Sequence, residues 1–166
     1  MKTEVLARSA FSVALCIAFL ILFRGSMSLL NAILIPTILF VSANKTPKAP
    51  VLTSYFVLIV VTFFFFLPQL FFVIFYCLVA GFLVIERNRL NRKVIALSLS
   101  LASFLAFIFI VKLTDLFFGV GLELLYLRIS NGNQVFYYLV LLALGLITGL
   151  GTTVFSGLIN RRVFHR

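Results

Sequence analysis

The sequence predicts an all-α integral membrane protein, a polytopic bundle of six transmembrane helices with both termini on the cytoplasmic side. Three observations carry that prediction. The 166 residues are 63% hydrophobic and only 11% charged, whereas a soluble domain is nearer half apolar and about a quarter charged. Apolar runs recur along the whole chain, so no polar stretch is long enough for a separate soluble domain and one membrane domain, 1–166, is the natural unit. The 14 Lys and Arg residues fall in short clusters between those runs.

A helix that crosses roughly 30 Å of hydrocarbon needs about 20 mainly apolar residues, with about 17 as the lower limit. The first apolar block, 5–43, is nearly twice too long for one helix, and Arg24 falls near its middle. Two spans, 5–23 and 26–43, place Arg24 and Gly25 at a turn, where the arginine reaches water. Lys2 and Arg8 before an apolar run imitate a signal peptide, but FRGSMS offers no small-x-small cleavage site and the run is read as the first helix. The second block breaks at Pro68 into spans 51–67 and 69–85, because proline disfavours a continuous helix and suits a tight turn. Spans 94–111 and 135–159 follow, the last long enough to tilt or project.

Loop charge tests this count independently. Six spans put Lys2, Arg8, Lys45, Lys48, Arg87, Arg89, Arg92, Lys93, Arg161, Arg162 and Arg166 on one side, and only Arg24, Lys112 and Arg128 on the other. Cytoplasmic loops are the basic ones, so the crowded side and both termini are assigned to the cytoplasm of a bacterial inner membrane. A four- or five-span reading spoils this asymmetry. The net charge of +10 is therefore read as topology rather than as nucleic-acid binding.

Residues 112–134 form the one long loop on the outer side, too charged to span and too rich in leucine for free coil. The expectation is a short helix lying at the interface, with Lys112 and Asp115 close enough to pair and SNGN, 130–133, turning into the last span. Asp115 and Glu123 are the acidic residues on this side. Either they are solvated or paired with Lys112 and Arg128, or the loop is a lid whose charges select a ligand. With Asn31 and Gln69, these groups and Arg24 make a candidate outer pocket: Arg24, Asn31, Gln69, Lys112, Asp115, Glu123 and Arg128. The plainer alternative is that each simply lies at the outer interface.

Two stripes of small residues suit close helix approach, the means by which helices associate in lipid. Ala10, Ala14 and Ala18, extended by Ala7, recur along the first span, and Gly145, Gly149, Thr152 or Thr153, and Ser156 run down the last. Each stripe packs within the bundle or faces another subunit. Asn31, Thr53, Thr62, Ser98, Ser100, Ser103 and Thr148 are polar groups within spans, but no ionisable residue falls at mid-membrane depth, which disfavours autonomous proton-driven transport.

No enzyme chemistry is visible. His165 is the only histidine and sits in the basic tail, and paired carboxylates, a nucleophile with a histidine and a phosphate loop are all missing. Cys16 and Cys77 lie in apolar runs without metal-ligand spacing, so neither a structural disulfide nor a metal or other cofactor is expected.

Six short spans, the alanine-spaced first helix (Ala10, Ala14, Ala18), Pro36 in LIPTILF and an apolar span ending in a basic loop, VAGFLVIERNRLNRK, together resemble a known group. The pattern is similar to that of the substrate-binding S components of energy-coupling factor transporters, and of the YybS-like membrane proteins. That resemblance implies a subunit that captures a small molecule from outside and docks, through Ala10, Ala14 and Ala18, on a coupling protein with cytoplasmic ATPases. The scaffold protein MreD is similar in length and span count, although VLTSYFVLIVVTFFFF lacks a glycine-leucine-aspartate signature. The two expectations are thus a ligand-capturing transporter subunit and a ligand-free membrane scaffold or assembly partner of cell-envelope machinery.

Overall fold

The computed structural model describes residues 2–23, 29–44, 48–86 and 91–164. Among them every regular element is helical: α1 (Lys2–Leu22), α2 (Leu29–Asn44), α3 (Lys48–Phe65), α4 (Leu70–Glu86), α5 (Arg92–Phe118), α6 (Leu122–Ile129) and α7 (Gln134–Phe164). Four segments are long and apolar enough to cross a membrane: Thr3–Leu22, Leu67–Glu86, Arg92–Phe118 and Gln134–Ile159. Leu29–Ala43 and Pro50–Phe65 are apolar but shorter.

The surface is that of a protein solvated by lipid. Leu22, Leu52, Phe64, Phe65 and Leu97 are each at least 70% exposed, while Thr37, Thr62, Ser103, Thr148 and Thr152 are buried. Water would reward the reverse distribution. Three of these buried hydroxyls return to their own helix: Thr37, Thr62 and Thr152 donate to the carbonyls of Ile33, Leu58 and Thr148 at 2.7, 2.7 and 2.6 Å. These three are thereby satisfied without a partner across the bundle.

The helix breaks have local causes. Leu67–Gln69 form a short 3-10 turn with Pro68 in its first residues, and the Gln69 amide donates to Phe66 O at 2.7 Å. This turn separates α3 from α4 where the proline predicts it. At the first hairpin the buried Asn31 donates its side-chain amide to Phe23 O at 2.9 Å, taking up a carbonyl left over at the end of α1 and tying it to the start of α2. The turn residues themselves, Arg24 included, lie outside the described residues.

One boundary differs from the sequence reading. The span expected to end at 111 continues to Phe118, so Lys112 and Asp115 belong to α5 rather than to the interfacial segment. The helix stops only at Gly119, whose φ of 60° is the left-handed conformation that favours glycine at a helix end, and whose amide donates to Asp115 O. Gly121, with φ 71°, then turns the chain into α6. After α6, Asn131 and Gly132 adopt φ 50° and 75°, and Asn133 Oδ1 accepts the Val135 amide at 2.9 Å to start α7. The turn chemistry expected of SNGN is thus realised.

α5 and α7 make the most extensive helix pair, and α7 also packs on α2. The α5–α7 pair is antiparallel, with Phe104 against Gly145, Ser100 against Gly149 and Arg92 against Gly157. A Cβ on Gly145 would stand 2.7 Å from the Phe104 backbone nitrogen, and one on Gly149 would stand 2.6 Å from Ser100 Cα. Glycine is what permits so close an approach. The stripe on the last helix therefore packs within the bundle.

Candidate functional site

Six of the seven residues proposed from the sequence for an outer pocket are among the described residues. Asn31 and Gln69 are buried, 3% and 6% exposed, each at a helix junction. Lys112 and Arg128 are exposed, and Asp115 and Glu123 are half-buried. Arg24 lies outside the described residues.

Asp115 has a specific job. Its Oδ1 accepts the Leu122 amide at 2.6 Å and its Oδ2 accepts the Glu123 amide at 2.7 Å. Both oxygens thus cap the first turn of α6, whose unpaired amides and positive dipole end favour a carboxylate. The expected pairing of Lys112 with Asp115 is replaced by this cap. Glu123 enters the arrangement through its backbone rather than its side chain. The geometry fastens α6 to the end of α5, across two left-handed glycines, and engages both Asp115 oxygens within the chain.

Beneath α6 lies apolar packing. Leu122, Tyr137, Phe107, Val111 and Phe72 are each 2% exposed or less and belong to one apolar cluster, with Tyr126 and Leu127 packed against it. Phe71 lies 5.8 Å from Phe117 and 5.6 Å from Phe118, ring centre to ring centre, closing the α4–α5 side. The Phe107 ring centre lies 6.4 Å from that of Phe72, tilted, and 5.7 Å from that of Phe75, edge to face. Burial pushes the Tyr126 hydroxyl up to about 12, with Tyr137 nearby adding to the shift, so this phenol stays neutral at physiological pH.

Three grooves are lined by described residues, and Asn31, Gln69, Lys112, Asp115, Glu123 and Arg128 are not in their walls. One of about 560 Å³ runs between α1 and α3 and is lined by Ala10 and Ala14 together with Ser9, Val13, Ser54 and Val57. Ala7, Ala10, Ala14 and Ala18 are all exposed, so this stripe faces outward while the glycine stripe faces inward. A second, of about 620 Å³, lies between α5 and α7 and has Arg92 and Lys93 at one end. A smaller one of about 260 Å³ lies between α4 and α5, lined by Phe75, Leu78, Phe82 and Leu99.

The sequence reading missed the second groove. Its signal was present: continuing the four-residue period of Gly145 and Gly149 leads to Thr153 and Gly157, and Gly157 faces Arg92. Cys16 and Cys77 are buried and unbonded. Among the described residues no group of three His, Cys, Asp or Glu side chains is placed to hold a metal ion.

No protein-family model matches the chain, and no curated protein or solved structure is significantly similar to it. What the chain is therefore rests on its own residues: an all-helical protein whose four long apolar helices suit it to a membrane.

Proposed function

We propose that this chain is a non-catalytic membrane subunit of a larger complex, crossing the inner membrane of a bacterium six times with both termini in the cytoplasm. The two shorter helices support the count. α2 and α3, with 16 and 18 residues, reach about 24 and 27 Å at 1.5 Å per residue, close to the thickness to be crossed. The concentration of cations on one set of loops supports the orientation.

The observation that carries the subunit reading is the exposed alanine face of α1 beside an open groove. Alanines buried within a bundle serve that bundle, but an outward row lets another backbone come close. In the S-component-like form of this reading, Ala10, Ala14 and Ala18 dock on a coupling protein served by cytoplasmic ATPases, and the chain captures a small molecule. In the scaffold form it binds envelope machinery and no ligand. The resemblance in sequence pattern supports capture; the packing of Phe72, Phe107, Val111, Leu122 and Tyr137 beneath α6 favours the scaffold.

The test is a photo-crosslinking residue at position 14 in cells, followed by mass spectrometry. Crosslinks to a membrane protein are expected, and lipid adducts alone would defeat the subunit reading. Peptides of ATPase-linked coupling proteins separate capture from scaffolding, which instead yields peptides of envelope machinery.

A further inference from the structure

We infer that the groove between α5 and α7 is a binding site for an anionic phospholipid, with the phosphate held by Arg92 and Lys93 and one acyl chain lying along the groove. The two ends of the groove differ in chemistry. Arg92 and Lys93 stand at the first turn of α5, and below them the lining is Leu97, Leu150, Val154 and Leu158, all exposed on the bundle surface. No carboxylate lines the groove, so nothing in its wall neutralises the two cations. The α5 N-terminus adds its own partial positive charge beside them.

Arg92 also reaches across to α7. A Cβ on Gly157 would come within 3.0 Å of Arg92 Nη1 and 3.3 Å of Cζ, so the guanidinium lies directly over the α7 backbone. A planar guanidinium at the mouth beside an exposed ammonium suits a phosphate diester, which accepts from both.

The length of the groove fits one leaflet. From Leu158 to Leu146 the α7 lining spans 12 helical steps, roughly 18 Å at 1.5 Å per residue. Half of a hydrocarbon core of about 30 Å is close to that. A headgroup at Arg92 and Lys93 therefore places its chain beside apolar wall for the whole depth of its own leaflet. Basic pockets between membrane helices are recognised settings for anionic headgroups.

Native mass spectrometry of the full chain in mild detergent, with phosphatidylglycerol or phosphatidylcholine added, tests the site. Phosphatidylglycerol is expected to be retained roughly thirtyfold better, two basic contacts near a membrane surface each contributing about fivefold. Arg92→Gln with Lys93→Gln should bring the ratio to within about twofold; Lys93→Gln alone, should the pair not fold, should lower it about fivefold. Val154→Trp, which fills the groove from an exposed position, should release the bound lipid with both cations intact. Arg8→Gln removes a charge outside the groove and should change nothing. Unaltered selectivity in the Gln variants would overturn the inference. Displacement of the lipid by glycerol 3-phosphate at equal concentration would do the same, since it would make the site one for soluble phosphates.

Discussion

Replacing Gly149 with alanine adds a single methyl group, yet the structure places it against the backbone of another helix. The new Cβ would meet Ser100 N, Oγ and Cα, the last at 2.6 Å. Carbon atoms rest at about 3.5 Å or more, so α5 and α7 must part by about 1 Å. A gap of that size forfeits a quarter to a half of each dispersion contact along the pair. The Ser100 Oγ donation to Leu146 O, already long at 3.4 Å, goes with it. Overpacking of this kind costs about 1–3 kcal/mol, and the lost interhelical bond adds about 0.6 kcal/mol. Set against the gain of up to about 1 kcal/mol that alanine brings to a helix, the expected net loss is about 1–3 kcal/mol. Titration with sodium dodecyl sulfate, followed by far-ultraviolet circular dichroism because the chain has no tryptophan, measures it. Gly81→Ala is the control: a Cβ there meets nothing within 4 Å, and alanine gains up to about 1 kcal/mol in a helix. Gly149→Ala within about 0.5 kcal/mol of wild type, the range of an ordinary surface change, would refute the close α5–α7 approach.

Three further outcomes follow from the site. Asp115→Ala leaves the Leu122 and Glu123 amides without their acceptor, and should cost about 1–3 kcal/mol locally; hydrogen exchange in α6 should rise well before exchange in α4 or α7. Cys16 and Cys77, being buried, should resist maleimide in mild detergent and react together once the bundle is unfolded. The raised pKa of Tyr126 means that the docked α6 keeps its full stability below about pH 10 and loses it as pH rises toward 12. Tyrosinate absorbance and near-ultraviolet dichroism should therefore change together in that window, with no change between pH 6 and 9.

Much of the helix layout was legible because lipid imposes a strong rule on length and polarity. Pro68 marked the α3–α4 turn correctly, since a residue without an amide proton disfavours a continuous helix, although Pro36 sits inside α2. SNGN announced the turn before α7 through residues that accept positive φ. The role of Asp115 was hidden. The amides that donate to it lie seven and eight positions away, beyond a break at Gly119 and Gly121, so helical spacing suggested Lys112 instead. The two small-residue stripes looked alike in sequence, because which side of a helix meets its neighbours is decided by partners far along the chain. Only the fold distinguishes the inward Gly145 and Gly149 from the outward Ala10 and Ala14. The Arg92 groove was legible only on its α7 side, through the continued four-residue period, because its wall joins residues some 60 positions apart.

The central place of α7 bears on how the chain is made. α2 and α5 both lean on a helix that the ribosome delivers after them. Until it arrives, the flanks around Ser100 and Ser103 have no glycine-lined neighbour and lie open to lipid or to the insertion machinery. Membrane integration of this chain should accordingly proceed helix by helix, with the compact arrangement achieved late and in one step. A translational pause before Gly145 would lengthen the period in which quality-control proteases can recognise it.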